Sequence, residues 1–150
     1  MTPTETRTVV AEALAMALEK MAFLDAMPSA APFEPTAEML GAEIDFDGPA
    51  RGTLQIAAAG AFACVIRGTI AGPDDPGASE LTDTLQELAN VTCGLVLPML
   101  ATDETDVFRV SVPRPCSSAD WARNADAEPA IMDVEGHQVA VRLILTNTNL

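Results

Sequence analysis

The sequence predicts an α/β sandwich of the α+β type, in which two long helices cover a largely antiparallel sheet. Two stretches have helical periodicity, and shorter stretches of alternating apolar and polar residues follow each of them. The resulting order is helix, three strands, helix, three strands. Because the same unit occurs twice, we expect internal pseudo-symmetry, although no residue pattern repeats. The 150 residues suit a single domain that spans residues 1–150.

The first helix is predicted from about Thr4 to Ala26, where apolar residues recur every three or four positions. Glu5 near its start is favoured by the helix dipole. The recurring apolar residues are Val10, Leu14, Ala17, Leu18, Met21 and Leu24. Prolines at positions 28, 32 and 35 then predict an irregular connector.

Three strands are predicted for the first half, over residues 42–47, 51–58 and 61–71. The second and third of these form a hairpin that turns near Ala59-Gly60. The Gly- and Pro-rich residues 72–77 are a loop.

The second helix is predicted from Ser79, as its N-cap, to about Leu100. Pro98 lies near its end, where we expect a bend. One side of the helix can face a core through Leu81, Leu85, Leu88, Thr92, Leu95 and Met99.

Three strands are predicted for the second half, over residues 107–112, 130–134 and 138–146. A Glu-Gly pair joins the last two as a hairpin. Residues 113–129 are polar and contain prolines, and we assign them no role beyond a short helical turn anchored by Trp121.

The charge excludes several classes of partner. Eight basic and 22 acidic residues give a net charge of −14, so nucleic-acid backbones and anionic membranes would repel the protein. No apolar run approaches the length of a membrane span, and the N-terminus lacks the features of a signal peptide. We therefore expect a cytoplasmic protein that favours partners with exposed Lys or Arg.

The residues that commonly bind metals give no site. Of the three cysteines, Cys64 and Cys93 have apolar surroundings and are expected to be small buried hydrophobes, and Cys116 completes an odd number. The single His137 follows a turn signal and is interpreted as a hairpin residue. Asp103-Glu104 is interpreted as a solvated loop end, without EF-hand spacing. We expect no disulfide and no metal ligand.

The segment D-T-L-Q-E-L-A-N-V-T-C-G, residues 83–94, is the most informative part of the chain. On a helix, Asp83, Glu87, Asn90 and Gly94 lie on one stripe, opposite the apolar face. Asn and Gly are both poor helix formers, and a small residue beside a polar pair leaves room for another molecule. The alternative is a solvated surface without function, since average residue frequencies place an E-x-x-N pair in roughly one chain in three of this length.

E-x-x-N-x-x-x-G on a long helix, after two or three strands and a Gly/Pro-rich loop, resembles the CheX branch of the CheC/CheX/FliY chemotaxis phosphatases. The L-E-K-M-A-F segment of residues 18–23 and the closing D-V-E-G-H-Q-V-A-V-R-L-I-L hairpin also lie where CheX-like domains have theirs. The resemblance covers nearly the whole chain. It implies the pseudo-symmetric CheX-like/CheC-like fold and hydrolysis of the aspartyl phosphate on a CheY-type response-regulator receiver domain, in chemotaxis or two-component signalling.

The resemblance also implies roles for two residues. Asn90 would orient the attacking water, because a neutral carboxamide can hold water without adding charge near the phosphoryl oxygens. Glu87 would pair with the active-site lysine of the receiver. The receiver supplies the Mg²⁺, so this chain needs no cofactor of its own.

Family members of the CheC type carry a second E-x-x-N on the first helix. Here Glu19-Lys20-Met21-Ala22 ends in alanine, so we expect a single site. Helical geometry adds Asp83, Leu88, Val91 and Gly94 as adjacent contact surface.

CheX-type proteins pair through their sheets, so a homodimer is expected. The alternative to a phosphatase is a non-catalytic module, related to flagellar-switch proteins, that binds a receiver without hydrolysing anything.

Overall fold

A computed structural model describes residues 1–34, 38–71 and 77–146. The elements in chain order are α1 (Pro3–Ala22), β1 (Met27–Pro28), β2 (Met39–Asp47), β3 (Gly52–Ala59), α2 (Gly60–Ala71), α3 (Ala78–Leu100), β4 (Arg109–Val110), β5 (Arg114–Pro115), α4 (Ser118–Ala122), β6 (Ala130–Val134) and β7 (His137–Leu145).

The strands form one sheet in the order β1-β6-β7-β3-β2-β4, and β5 also pairs with β2. Every one of these pairs is antiparallel. At the centre, Ile56 of β3 lies opposite Val141 of β7. The prediction of a mixed α and β fold with a largely antiparallel sheet is confirmed.

The strand order supports the expected pseudo-symmetry. The first half contributes α1-β1-β2-β3 and the second contributes α3-β4-β6-β7. The last strands of the two halves, β3 and β7, pair at the centre, and the first strand of each half pairs with the middle strand of the other half: β1 with β6 and β4 with β2. The sheet therefore has the same order from either edge, and the two long helices α1 and α3 pack against each other.

The main core lies between one face of the sheet and helices α1, α2 and α3. Alternate residues of the central strands point into it. These buried sheet residues are Ala42, Ile44, Phe46, Leu54, Ile56, Ala58, Ala130, Met132, Val134, Val139, Val141 and Leu143. A smaller cluster covers the opposite face and contains Met39, Ala57, Cys116, Trp121 and Ala140.

Helix α1 begins with a capping box, in which the Thr2 side chain accepts from the Glu5 backbone N–H and the Glu5 carboxylate accepts from the Thr2 N–H. It ends four residues before the predicted Ala26. Phe23 has a left-handed conformation (φ 55°), and its N–H donates to the Glu19 carbonyl and terminates the helix. The chain then enters β1 within the stretch that was predicted to be irregular.

The strand predicted over residues 61–71 is wrong, because this stretch belongs to helix α2. The segment is apolar and rich in β-branched residues, so its composition favours a strand while its length allows either structure. Its buried residues Phe62, Ala63 and Ile66 have helical spacing and face the main core. The same helix places Cys64 on its exposed side, so the prediction that Cys64 is buried is also wrong.

Helix α3 begins with Gly77 as its N-cap, without a side-chain hydrogen bond, and Ser79 lies inside the first turn. The prediction of Ser79 as the N-cap is therefore wrong. The other residues of the predicted loop, 72–76, lie outside the described residues.

The strand predicted over residues 107–112 is reduced to two residues, Arg109 and Val110. In the next residue pair the backbone N–H of Ser111 still donates to the Asp45 carbonyl at 2.9 Å. The N–H of Asp45, however, donates to the hydroxyl of Ser111 at 3.0 Å, so a side chain takes the place of one of the two main-chain bonds of this pair. Val107 and Val112 remain 78% and 84% exposed.

The predictions for Trp121 and for the closing hairpin are confirmed. Trp121 lies in the short helix α4 and is buried, and β6 spans the predicted residues 130–134. Glu135 and Gly136 have φ of 52° and 81°, as a tight hairpin turn requires, and His137 begins β7. Among the described helices, none is long and apolar enough to cross a membrane.

Candidate functional site

Helix α3 presents one apolar face to the core. The side chains buried on this face are Leu85, Leu88, Ala89, Cys93, Val96 and Leu100. Leu81 and Leu95 are half-buried at its margins. The prediction that Met99 faces the core is wrong, since Met99 is 38% exposed and Leu100 takes the buried position in the last turn.

The two buried threonines of α3 are satisfied within the helix. The hydroxyl of Thr84 donates to the Glu80 carbonyl at 2.8 Å, and that of Thr92 donates to the Leu88 carbonyl at 2.7 Å. Both hydroxyl groups are therefore satisfied within α3, and neither forms a hydrogen bond with the polar side chains on the opposite, exposed face of the helix.

The opposite face carries the predicted stripe. Asp83, Glu87, Asn90 and Gly94 are all exposed. Glu87 and Asn90 are three residues apart on a continuous helix, which brings their Cβ atoms within about 6 Å of each other. The prediction that the four residues share one outward face is confirmed.

Within the described part of the chain, the side chains of Glu87 and Asn90 are free. Across residues 1–34, 38–71 and 77–146, no side chain or backbone group forms a hydrogen bond or an ion pair with either of them. By contrast, Glu80, at the start of the same stripe, pairs with Arg67 of α2 at 3.1 Å. A carboxylate and a carboxamide thus stand side by side in solvent, with their full hydrogen-bonding capacity available to a second molecule.

Gly94 is not required by the fold. A Cβ built at this position would meet no atom within 4 Å, whereas a Cβ at Gly41 would lie 2.6 Å from the Cys116 carbonyl oxygen. Glycine inside a helix costs about 1 kcal/mol relative to alanine. No contact within the described residues explains this cost, and the open surface at Gly94 leaves room for another molecule.

The residues expected to extend the contact surface divide into two groups. Asp83 and Gly94 are exposed and Val91 is half-buried, so these three border the free pair. Leu88 is 0% exposed and belongs to the main core. Its prediction as a contact residue is wrong, because it lies only one position from Glu87 and the helix turns it about 100° away.

The corresponding end of α1 offers no second pair. Glu19 is exposed, but Ala22, at the position of the amide, is 2% exposed and α1 ends there. Within the part of the chain that the structure describes, no group of three His, Cys, Asp or Glu residues could hold a metal ion.

Sequence reasoning missed a cleft next to the stripe. It has a volume of about 660 Å³ and is formed by the last two turns of α3, beginning at Gly94, together with the segment from Ala101 to Phe108. A signal was present in the sequence, namely Pro98 four residues after Gly94, but it indicates only a disturbed helix and not the loop that folds back against it.

Comparison with known proteins gives one family. The family described as Chemotaxis phosphatase CheX matches residues 40–135, which include the whole of α3. No curated protein sequence matches the chain significantly.

Solved structures give the same fold. The chemotaxis protein CheX from Desulfovibrio desulfuricans is similar, with a TM-score of 0.70, 15% identity, and coverage of 95% of this chain and 99% of that chain. CheX from Vibrio vulnificus has a TM-score of 0.69 and 18% identity, covering 97% and 99%. The CheX–CheY–BeF₃–Mg²⁺ complex from Borrelia burgdorferi has a TM-score of 0.68 and 14% identity, covering 95% and 98%.

Proposed function

The chain belongs to the CheX family of chemotaxis phosphatases, and on that basis we propose that Glu87 and Asn90 of α3 perform hydrolysis of the aspartyl phosphate on a CheY-type receiver domain. The observation that carries this proposal is the free pair itself. An exposed carboxylate and an exposed carboxamide lie one turn apart on α3, with no partner in the described residues.

A site that protrudes from a helix suits a substrate that is itself a protein. An aspartyl phosphate lies in the active site of a folded receiver, so the catalytic groups have to reach into that site. The active site is then completed only in the complex. The similar Borrelia structure contains CheX together with CheY, BeF₃ and Mg²⁺, which supports a receiver as the partner and the metal as its contribution.

Asn90 orients the attacking water. An acyl phosphate has a good leaving group, and its loose transition state demands mainly that water be placed in line with the bond that breaks. The carboxamide of Asn90 can accept one hydrogen bond from the water and donate another to a phosphoryl oxygen. It carries no charge, so it does not repel the phosphoryl group. The receiver's Mg²⁺ neutralises the phosphoryl charge when bound.

Glu87 docks the helix on the receiver. A carboxylate one turn before Asn90 can form a charge-assisted hydrogen bond with the active-site lysine of the receiver. This bond fixes the rotation of α3 and therefore the position of Asn90. The net charge of −14 adds a general preference for a basic surface around that lysine.

Two further properties are part of the proposal. The protein acts in the cytoplasm, where response regulators are phosphorylated. It forms a homodimer that pairs through the sheet, as the CheX-type proteins that it resembles do.

The test is the loss of phosphate from a Mg²⁺-bound, phosphorylated CheY-type receiver encoded near the gene of this protein. We expect the wild type to accelerate hydrolysis, Asn90→Ala to abolish the acceleration while still binding, and Glu87→Ala to weaken binding. Asp133→Asn is a matched control, since Asp133 is an exposed carboxylate on β6 whose neighbours Met132 and Val134 point toward the helices.

Binding without acceleration would contradict the catalytic role. In that case the protein would be a receiver-binding module of the flagellar-switch type.

A further inference from the structure

The cleft beside Gly94 continues the surface that carries Glu87 and Asn90. Gly94 is the last residue of the exposed stripe and the first residue of the cleft. Leu97 and Pro98 on the next turn form one wall. Leu97 lies seven residues after Asn90, which places the cleft about 10 Å from Asn90 along the helix axis.

The cleft lies within the area that a protein docked on Asn90 would be expected to cover. A protein–protein interface of standard size covers about 800 Å² on each partner, equivalent to a disc with a radius of roughly 16 Å. A disc of that size centred on Glu87 and Asn90 includes the cleft at about 10 Å. The cleft is therefore continuous with the proposed interface, and the partner there is the receiver.

The walls of the cleft are apolar. Leu97 and Phe108 are half-buried, and Pro98 is exposed. Phe108 is held against the sheet by an edge-to-face contact with Phe46, with ring centroids 6.3 Å apart. Such walls suit an aliphatic stem.

The polar groups that the cleft offers are acceptors. Asp103, Glu104 and Asp106 contribute three carboxylates to its lining. Pro98 has no N–H, so the carbonyl of Gly94 lacks the donor that a helix normally provides four residues later. The hydroxyl of Thr102 donates to Asp106 at 3.1 Å and is thereby used within the loop. A ligand for this surface needs several donors and a positive charge.

The loop that carries these carboxylates is held in place before any partner binds. One carboxylate oxygen of Asp106 accepts from the backbone N–H groups of Thr102 and Asp103, at 2.8 and 3.0 Å. Oδ1 of Asp103 accepts from the Thr105 N–H at 3.0 Å. Because the loop is ordered by its own bonds, little conformational freedom is lost when a partner binds.

We propose that the cleft receives a lysine or arginine side chain of the receiver, with its aliphatic stem against Leu97, Pro98 and Phe108 and its cationic end among the carboxylates and the Gly94 carbonyl. The inference rests on the proposed function, because it takes the receiver as the protein that docks on Glu87 and Asn90. Long basic side chains commonly bury their stem on apolar surface and keep the charge at a polar rim. The cleft thereby contributes to the choice of receiver without taking part in hydrolysis.

Two variants test the proposal by different means. Gly94→Trp fills the cleft from a position where a Cβ meets no atom within 4 Å. The double variant Asp103→Asn with Glu104→Gln removes two of the negative charges that line the cleft. The probe is the neighbouring-gene CheY-type receiver loaded with Mg²⁺ and beryllofluoride, and titration calorimetry measures Kd. We expect each variant to raise Kd about tenfold or more, which corresponds to the loss of one good contact.

Matched controls lie on the other face of the sheet. Ala125→Trp adds the same bulk at an exposed position in the turns that follow α4, and Asp133→Asn with Glu135→Gln removes two charges from the β6–β7 hairpin. Both controls should keep Kd within twofold of the wild type. A thermal melt of Gly94→Trp verifies folding, and the charge variant tests the same cleft without added bulk.

The kinetic readout separates this inference from the proposed function. The charge variant should raise KM for the phosphorylated receiver and leave kcat within twofold, whereas Asn90→Ala should remove kcat and keep Kd. Unchanged Kd and KM in both cleft variants, together with a Kd raised by Glu87→Ala, would overturn the inference and leave the proposed function intact. No binding by the wild type would overturn both for this receiver.

Discussion

The guanidinium of Arg142 on β7 is buried, and its Nε donates a 2.8 Å hydrogen bond to Oε1 of Gln55 on β3. Its Nη1 and Nη2 donate to the backbone carbonyls of Ala127 and Trp121, and its Cζ lies 3.8 Å from the centroid of the Trp121 ring. No salt bridge to Arg142 is present in the described residues. This arginine therefore fixes α4 and the turn after it to the outer face of the sheet.

Gln55 also belongs to a chain of hydrogen-bonded polar side chains that crosses the sheet from Arg142 to Arg114. Nε2 of Gln55 donates to Glu43 at 2.8 Å, and Glu43 accepts from Nε of Arg114 at 3.0 Å. Arg114 also forms two bonds with Asp45, at 2.8 and 3.1 Å. Residues 113–129, for which the sequence offered no role, are thus bound to the sheet at several points, which include Arg114, the Cys116 N–H that donates to the Gly41 carbonyl at 2.9 Å, and Trp121.

Arg142→Met should lower the free energy of unfolding by about 3 kcal/mol, because it removes a buried cation–π contact and the hydrogen bonds that Arg142 donates to Oε1 of Gln55 and to the Ala127 carbonyl. Urea denaturation followed by Trp121 fluorescence measures the change. Arg123→Met is the control, since Arg123 pairs with Asp120 on the surface and should cost less than about 1 kcal/mol. Equal losses in both variants would contradict the structural role of Arg142.

Gly94→Ala and Asn90→Ala should each stabilise the protein. Gly94→Ala should raise the free energy of unfolding by about 0.5–1 kcal/mol, because alanine has the higher helix propensity and its Cβ meets no atom within 4 Å. Asn90→Ala should raise it by about 0.5 kcal/mol for the same reason, since the exposed Asn90 side chain has no contact to lose within the described residues. Thermal denaturation measures the gain. Gly41→Ala should instead destabilise, since its Cβ would lie 2.6 Å from the Cys116 oxygen. A loss of stability for Asn90→Ala would indicate a structural role for that side chain.

One thiol of three should react in the native protein. Cys64 is exposed on α2, whereas burial raises the pKa of Cys93 to about 11 and that of Cys116 to about 12. Iodoacetamide at pH 8, read by mass spectrometry, should add one group to the native protein and three in urea. Absence of label on Cys64 would contradict the assignment of residues 60–71 as a helix with that face exposed.

Acid should destabilise the folded protein by protonating Asp45 on β2. Hydrogen bonds from Arg114 lower the pKa of the Asp45 carboxyl in the folded protein. The carboxylate therefore contributes stability above the ordinary Asp pKa of about 3.9, and this contribution is lost as the pH falls through the lower folded pKa. Asp45→Asn should flatten the fall in melting temperature between pH 4 and 2, measured at constant ionic strength. A slope equal to that of the wild type would exclude this pair as a source of acid sensitivity.

Much of the candidate site was predictable because it depends on local geometry. The period of the α-helix places Asp83, Glu87, Asn90 and Gly94 on one face wherever the helix lies, and the apolar residues between them require the opposite face to be buried. The hairpin of β6 and β7 was predictable for the same reason, since the Glu135-Gly136 turn and the strand alternation act within a few residues.

Other features depend on contacts between distant segments. Whether residues 60–71 form a strand or a helix is decided by the space left beside α3 and the sheet, and the burial of Phe62 and Ile66 there outweighs the local preference of a β-branched segment. The cleft requires the chain after α3 to turn back so that Phe108 packs on Phe46. Its position cannot be read from spacing along α3.

The spacing and identity of residues 83–94 are enough to predict an outward polar pair on a long helix and the family to which the chain belongs. The folded chain adds that Glu87 and Asn90 lack partners within the described residues, that Leu88 and Cys64 lie on the sides opposite to those expected, and that residues 113–129 attach through Arg114 and Arg142. The physical reason is the range of the forces involved. Helical periodicity acts over one turn, whereas burial and the pairing of buried polar groups are fixed by segments that meet only when the chain has folded.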